Sequence, residues 1–166
     1  MIIRLETPAD IEAIDAVTIA AFENHPFSQQ TEQFIVKALR SAVALTLSLV
    51  AELDGQVVGH IAFSPATISD GSLNWHGLGP ISVLPAYKRQ GIGKALMQEG
   101  LSSLKALGSN GCVLVGPPEY YHRFGFRNIP EIIHEGIPQE VFLALPFTEK
   151  IPQGAVVFHQ GFSATS

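Results

Sequence analysis

The sequence has little cysteine and no long apolar run. Its 166 residues include a single cysteine, Cys112, so no internal disulfide can form and a reducing compartment is expected. Cys112 lies in the short apolar run 112–115, which favours a small core residue over a nucleophile. No run reaches the ~18 apolar residues that a membrane helix needs, and the N-terminus has no apolar segment of signal length. These absences predict a cytoplasmic protein without a membrane span.

Charge is also scarce, because Asp, Glu, Lys and Arg make up only 15% of the chain and the net charge is −5. This acidic balance disfavours nucleic acid and anionic lipid as partners. The apolar content of 46% argues against disorder and is compatible with a homodimer that covers part of the surface. The six histidines form no H-x-x-x-H pair, so no metal site is expected. The length fits one domain, 1–166.

Apolar spacing and turn signals divide the chain into the elements of a mixed α/β fold. The pair Asp54-Gly55 predicts a tight hairpin turn. Gly77, Gly79 and Pro80 near a strand end predict a bulge or a splay, which would free backbone groups. Strands are expected at Ile2–Leu5, 45–53, 56–67, 73–83, 112–115, around Phe126, 141–145 and 155–159, and helices at 7–22, around 34–39, at 91–107 and at 119–124.

The segment from Lys88 to Lys94 follows a predicted strand and begins a predicted helix. Helix N-termini leave backbone N–H groups unpaired and carry a partial positive charge, so they attract phosphate oxygens. Gly91 and Gly93 lack the Cβ atoms that would keep a ligand from this backbone. Lys88, Arg89 and Lys94 place three cations within seven positions, in a chain that has only ten Lys and Arg residues. The segment predicts an anion site, and the alternative is an ordinary turn with a solvated basic rim.

Two common phosphate loops do not fit this segment. A nucleoside-triphosphate loop needs Ser or Thr after Gly-Lys, but Ala95 follows Lys94. A dinucleotide-binding loop has the pattern G-x-G-x-x-G and lies near the first strand of its fold. Here the third glycine of that pattern would fall at position 96, which is Leu, and the segment lies in the middle of the chain. The remaining reading is a pyrophosphate site built from backbone N–H groups.

The run Lys88-Arg89-Gln90-Gly91-Ile92-Gly93 resembles the signature of the GNAT superfamily of acyl-CoA-dependent N-acetyltransferases, which is Gln or Arg, two residues, Gly, one residue, then Gly or Ala. Residues 79–85 resemble the family's fourth strand with its V-x-P segment, and 121–126 resemble its Y-x-x-x-G-F segment. The order of the predicted elements agrees with that of the family over nearly the full chain. It implies a central mixed, mostly antiparallel sheet, with splayed fourth and fifth strands, flanked by helices.

The resemblance also implies a reaction, in which acetyl-CoA gives its acetyl group to a primary amine by direct attack. Tyr121 would be the general acid that protonates the CoA thiolate, with Tyr120 as a packing residue or, with the roles exchanged, as the acid. Ile81 and Val83 would pair through their backbones with the pantetheine arm, and the glycine-rich loop would hold the pyrophosphate. The cofactor-binding residues implied in this way are Ile81, Val83, Lys88, Arg89, Gln90, Gly91, Gly93 and Lys94.

Two positions depart from the family's pattern. Lys88 stands where Gln or Arg is usual, and lysine lacks the planar fork of arginine. The run 116–118, Gly-Pro-Pro, occupies the turn where many members carry an Asn, so a side-chain contact to the pantetheine is not expected there.

The sequence leaves the general base and the acceptor open. A small amine, an antibiotic, a peptide N-terminus and a lysine side chain all fit, and a non-catalytic acyl-CoA sensor on the same fold is the alternative function. A nucleoside-triphosphate switch is disfavoured by Ala95. The candidate bases are Glu23, His25, Glu52, His60, His76 and Glu119.

Overall fold

The computed structural model describes residues 1–166 as helices packed on a central β-sheet. The strands are β1 (Ile2–Leu5), β2 (Leu47–Leu53), β3 (Gln56–Ile68), β4 (Trp75–Val83), β5 (Gly111–Val115), β6 (Ile132–Ile133), β7 (Phe142–Pro146) and β8 (Gly154–Phe158). The α-helices are α1 (Ile11–Phe22), α2 (Glu32–Ser41), α3 (Ile92–Ala106) and α4 (Pro118–Tyr121). None of these helices combines the length and the apolar composition that crossing a bilayer requires.

The sheet has the strand order β1-β2-β3-β4-β5-β7, and only its β4–β5 pair is parallel. Strand β8 pairs with the last residues of β3 and runs parallel to β6. The β2–β3 hairpin turns at Asp54 and Gly55, whose φ angles of 51° and 75° are the left-handed values that a two-residue hairpin turn requires. The predicted mixed, mostly antiparallel sheet is therefore confirmed.

Helix α3 covers one face of the sheet. Its buried residues Leu96 and Met97 share a core cluster with Ile61 and Phe63 of β3. Gly100 lets the helix approach closely, because a Cβ atom there would lie 2.7 Å from the Phe63 ring. This face holds the larger of the apolar cores.

The opposite face is covered by α1 and α2. Ile14 of α1 and Val36 of α2 pack on Val50 of β2. Side chains alternate along a strand, so His60, which neighbours Ile61, points to this face. A second apolar cluster, around Trp75, lies farther along the same face.

Strands β4 and β5 separate part-way along their length. They pair only where Trp75, His76 and Gly77 lie beside residues 111–113. From Leu78 to Val83 the β5-facing edge of β4 has no partner strand, while β5 continues beside β7. On its other side β4 has a bulge, since its pairing with β3 shifts register between Ile61 and Phe63. Both the bulge and the splay follow the expectation from Gly77, Gly79 and Pro80.

Several elements differ from the sequence prediction. The strand expected around Phe126 is only one bridge, between Arg127 and Ala144, because the chain turns away directly afterwards. Strand β6 was not predicted, since two residues are too short to show a pattern. The first helix begins as a 3-10 turn at 8–10, where the Asp10 carboxylate accepts from the Thr7 amide at 2.7 Å.

Candidate active site

The loop between β4 and α3 presents a row of unused hydrogen-bond donors. No backbone amide from Arg89 to Lys94 donates a hydrogen bond within the protein. Arg89 and Gly91 have φ angles of 64° and 82°, so the chain twists through left-handed conformations there. Such twists direct successive amides into one anion-binding concavity, and the first turn of α3 adds its own free N–H groups.

The cationic side chains of this loop are not neutralised by the protein. Lys88, Arg89 and Lys94 are exposed, and the ion pairs of the structure involve Arg4 and Arg40 instead. A left-handed non-glycine residue such as Arg89 costs about 1 kcal/mol or more, and such conformations cluster at functional sites. The loop therefore combines free donors with free positive charge, as a pyrophosphate requires.

The unpaired edge of β4 leads directly into this loop. Ile81 and Val83 lie on it, with side chains that pack against the α3-side core. A ligand that adds to this edge as an extra strand reaches the N-terminus of α3. The edge of β4 and the loop meet at Gly93, where a Cβ atom would lie 3.9 Å from Val83 Cγ2 and 3.1 Å from the Tyr120 hydroxyl.

Tyr121 lies at the β5 end of the gap between the parted strands. Its ring packs against Gly116, where a Cβ atom would lie 2.5 Å from the ring, and its centroid is 6.1 Å from that of Phe126. Burial, with a smaller contribution from Tyr120, raises the pKa of Tyr121 to about 12. The phenol is therefore protonated at neutral pH, and its hydroxyl makes no hydrogen bond within the protein.

Tyr120 lies nearer the loop, with its hydroxyl 3.1 Å from the Cβ position of Gly93. Its ring stands edge-on to Tyr121 at 5.0 Å and carries the Arg123 guanidinium 4.8 Å above its centroid. Arg123 also donates to the Tyr120 carbonyl at 2.9 Å. Burial raises the pKa of Tyr120. The two tyrosines thus face different parts of the site, Tyr120 the loop at Gly93 and Tyr121 the end of β5.

The carboxylates and the loop histidine proposed as bases lie at the surface or in ion pairs. Glu23 and His25 are exposed between α1 and α2, and His25 Nδ1 accepts from the Phe27 amide at 3.2 Å. Glu119 is exposed in the first turn of α4. Glu52 accepts from Arg4 at 3.1 Å.

The two strand histidines proposed as bases have protein partners. His60 is fully buried, and its Nε2 lies 2.7 Å from Ser48 Oγ, which donates to the Glu6 carboxylate. Burial lowers the pKa of His60 to about 4, so its 4.0 Å approach to Glu6 is not an ion pair at neutral pH. His76 Nδ1 lies 2.7 Å from Ser109 Oγ, on the half of β4 that is paired with β5.

A feature that sequence reasoning missed is a set of rings on the face opposite α3, called here the aromatic layer. Phe158 lies against Gly77, where a Cβ atom would be 2.5 Å from the ring, and Phe162 lies 3.6 Å from the corresponding position of Gly79. The ring of Phe158 is 4.9 Å from that of His134 and 5.2 Å from that of Phe162, between centroids. The members of the layer are His134, Phe142, Phe158 and Phe162.

These features define an α/β protein in which an extended, anionic ligand can enter between two parted strands. The free amides and cations lie at the N-terminus of α3, a protonated phenol lies near the end of β5, and the aromatic layer packs on β4 from the opposite face. No group of three or more His, Cys, Asp or Glu side chains is placed to hold a metal ion.

Comparison with known proteins assigns the family. Residues 45–128 match the family described as acetyltransferase (GNAT) domain. The chain is 42% identical over 128 residues to the uncharacterized N-acetyltransferase YhbS of Escherichia coli strain K12, a match that covers 76% of this chain and 74% of YhbS. The chain therefore belongs to the GNAT acetyltransferase family, and the predicted enzyme class, an N-acetyltransferase, is confirmed.

Solved structures give the same assignment for the fold. A GNAT family acetyltransferase from Brucella melitensis, crystallised with acetyl-CoA, is 50% identical, with a TM-score of 0.87 over 97% of each chain. The Escherichia coli YhbS structure, in complex with CoA, has a TM-score of 0.89 at 33% identity and covers 99% of this chain and 93% of that one. The predicted GNAT fold is confirmed, and these relatives bind the cofactor that the motifs implied.

Proposed function

We propose that this protein transfers the acetyl group of acetyl-CoA to the primary amine of an acceptor by direct attack, with residues 1–166 acting as one N-acetyltransferase domain. The observation that carries the proposal is the row of free amides from Arg89 to Lys94 at the end of the unpaired edge of β4. The acetyl-CoA and CoA complexes of its relatives support the same ligand.

In this proposal the cofactor lies along β4. The amide groups of the pantetheine arm pair with the backbones of Ile81 and Val83, as an added strand would. The pyrophosphate accepts from the amides of the loop, Gln90, Gly91 and Gly93 among them, and the exposed cations add charge attraction. Lys88 acts as a point charge, without the bidentate geometry of arginine.

The amine attacks the carbonyl carbon of the thioester in its neutral form. A C–N bond forms, the C–S bond breaks, and the electron pair of the C–S bond passes to sulfur. Tyr121 is the general acid for this thiolate. Because its pKa of about 12 exceeds the ~8.5 of a thiol, full proton transfer is uphill by about 5 kcal/mol. The hydrogen bond that Tyr121 donates to the developing thiolate is therefore its main contribution.

The proposal is tested with acetyl-CoA and a panel of primary amines that includes alkyl and aromatic amines, an aminoglycoside, a lysine side chain and a peptide N-terminus. Calorimetry measures the binding of acetyl-CoA, and a thiol reagent follows the release of CoA. We expect binding and amine-dependent release. Binding without release on any amine would replace the enzyme by an acyl-CoA sensor, and absence of binding would refute both functions.

A further inference from the structure

This inference rests on the proposed function and concerns the size of the acyl group that fits the gap between β4 and β5. In the proposed binding mode the pyrophosphate lies at the loop beside Val83, whose Cγ2 atom is 3.9 Å from the Cβ position of Gly93. The pantetheine arm between pyrophosphate and sulfur has as many consecutive bonds as about four residues of extended chain, so it spans about 13 Å. An arm of this length that follows the edge of β4 from Val83 places its sulfur beside Gly79.

The gap closes just beyond Gly79. Gly77 is the last β4 residue paired with β5, so a ligand cannot continue along the strand edge. On the α3 side of this closed end, the side chains of Leu78 and Leu114 are buried in the core. On the opposite face Gly77 and Gly79 carry no side chain, so the strand itself leaves room there. An acyl chain longer than the arm therefore has to turn towards this glycine face.

Phe162 lies on the glycine face at the end of the gap. Its ring is 3.6 Å from the Cβ position of Gly79, which is van der Waals contact, and the side chain is half-buried. Phe158, at a centroid distance of 5.2 Å, covers Gly77 in the paired part of β4. Of these two rings, Phe162 is therefore the one that borders the unpaired stretch of β4.

The segment that carries Phe162 is held at several points. It is a 3-10 turn, Gln160–Ser163, in which the Gly161 amide donates to His159 Nδ1 at 2.9 Å. The Phe162 amide donates to the His159 carbonyl at 3.0 Å. A Cβ atom at Gly161 would lie 2.9 Å from the side chain of Leu39, which is fully buried in α2, so the turn packs closely on that helix. The Phe162 ring therefore borders the gap as a firm wall.

We infer that Phe162 limits the acyl group to a short one, so that the enzyme uses acetyl-CoA in preference to butyryl-CoA and longer acyl-CoA thioesters. The acetyl group ends beside Gly79. The additional methylenes of a butyryl group would enter the volume of the Phe162 ring, and a closely packed side chain yields little to added volume. Phe162 is thus a specificity-determining residue for the acyl donor.

The test compares acetyl-CoA with butyryl-CoA in wild type, in Phe162→Ala and in the smaller change Phe162→Leu. With the amine of the panel that wild type acetylates fastest, we expect wild-type kcat/KM to favour acetyl-CoA roughly 10²-fold. Phe162→Ala should reduce this preference to roughly tenfold or less, with Phe162→Leu between the two. Because both donors react with the same amine, the ratio cancels a change in amine access.

Calorimetry gives a second measurement that needs no acceptor. Butyryl-CoA should bind Phe162→Ala roughly tenfold more tightly than wild type, because the added methylenes then have room to be buried. The Kd of acetyl-CoA should change little, which also shows that the variant is folded; where Phe162→Ala does not fold, Phe162→Leu carries the comparison. The matched control is Phe158→Leu, which should keep the wild-type preference because Phe158 covers the paired residue Gly77.

The outcomes separate this inference from the proposed function. Equal use of both thioesters by wild type, or an unchanged preference in both Phe162 variants, would overturn the role of Phe162. An equal loss of preference in Phe158→Leu would overturn its assignment to Phe162 alone. If wild type binds acetyl-CoA but acetylates no amine, the proposed transfer fails while calorimetry still decides the role of Phe162. If acetyl-CoA does not bind, both fail.

Discussion

The buried histidine of β3 gives the sharpest test of the electrostatics described above. His60 has no exposed surface, and its Nε2 donates to Ser48, which donates in turn to Glu6. Protonation would place a charge in the apolar interior, which is why burial lowers the pKa of His60 to about 4. Acid should therefore unfold the protein in part by protonating this residue in the unfolded chain.

The magnitude and the sign follow from proton linkage. In the unfolded chain the pKa of histidine is ~6.5, so between pH 6.5 and 4 the unfolded state binds about one more proton at this residue than the folded state. The contribution of neutral His60 to stability is complete above pH 6.5 and is lost as pH falls towards 4. Between pH 6.5 and 5.0 the loss is about 1.5 kcal/mol of unfolding free energy. His76, whose pKa burial also lowers, adds to the wild-type slope in the same direction.

The assay is urea unfolding followed by the fluorescence of Trp75, which is buried and is the only tryptophan. His60→Gln can still donate to Ser48 but cannot titrate, so its slope between pH 6.5 and 5.0 should be smaller by about 1 kcal/mol per pH unit. Ser48→Ala is the control, because it removes the hydrogen bond and leaves His60 buried, and it should keep the steep slope. Equal slopes in His60→Gln and wild type would refute the reasoning.

Three further predictions concern the candidate site and the stability of the fold. Tyr121→Phe should lower kcat roughly 10²-fold with little change in acetyl-CoA affinity, while Tyr120→Phe should keep kcat; an unchanged kcat in Tyr121→Phe would remove it from the mechanism. Gly91→Asp and Gly93→Asp should each abolish CoA binding in calorimetry through bulk and like charge, and retained binding would place the pyrophosphate elsewhere. Asp10→Asn should lower the unfolding free energy by about 2 kcal/mol in urea, since this carboxylate accepts two bonds from Arg4, at 2.8 and 3.0 Å; an unchanged midpoint would show that the pair adds no stability.

Local chemistry made part of this structure predictable. The hairpin at Asp54-Gly55 and the left-handed residue Gly91 follow from conformations that these residue types adopt at low cost. The anion loop was predictable because free amides, glycines and cations are all adjacent in sequence. The left-handed conformation of Arg89 was not, since nothing in its side chain favours a positive φ.

The aromatic layer could not be predicted in the same way. His134, Phe142, Phe158 and Phe162 come from the C-terminal third, and no single helix or strand contains two of them. What brings them together is tertiary pairing, since β8 joins β3 at Ala66–Ile68 and β7 joins β5. Sequence reasoning therefore missed the aromatic layer, and none of its candidate bases, which extend from Glu23 to Glu119, belongs to that layer.

The glycines of β4 link the two halves of the site. Gly77 and Gly79 were interpreted from the sequence as points where the strand is interrupted, and β4 does leave β5 after Gly77. The same lack of side chains lets Phe158 and Phe162 lie directly on the strand from the opposite face. A side chain at Gly77 would displace the Phe158 ring, and His134 with it, without touching the loop at Gly91. Gly77→Ala should therefore lower the free energy of unfolding in urea while the Kd of acetyl-CoA stays unchanged, and loss of acetyl-CoA binding would show that the two faces are not separable.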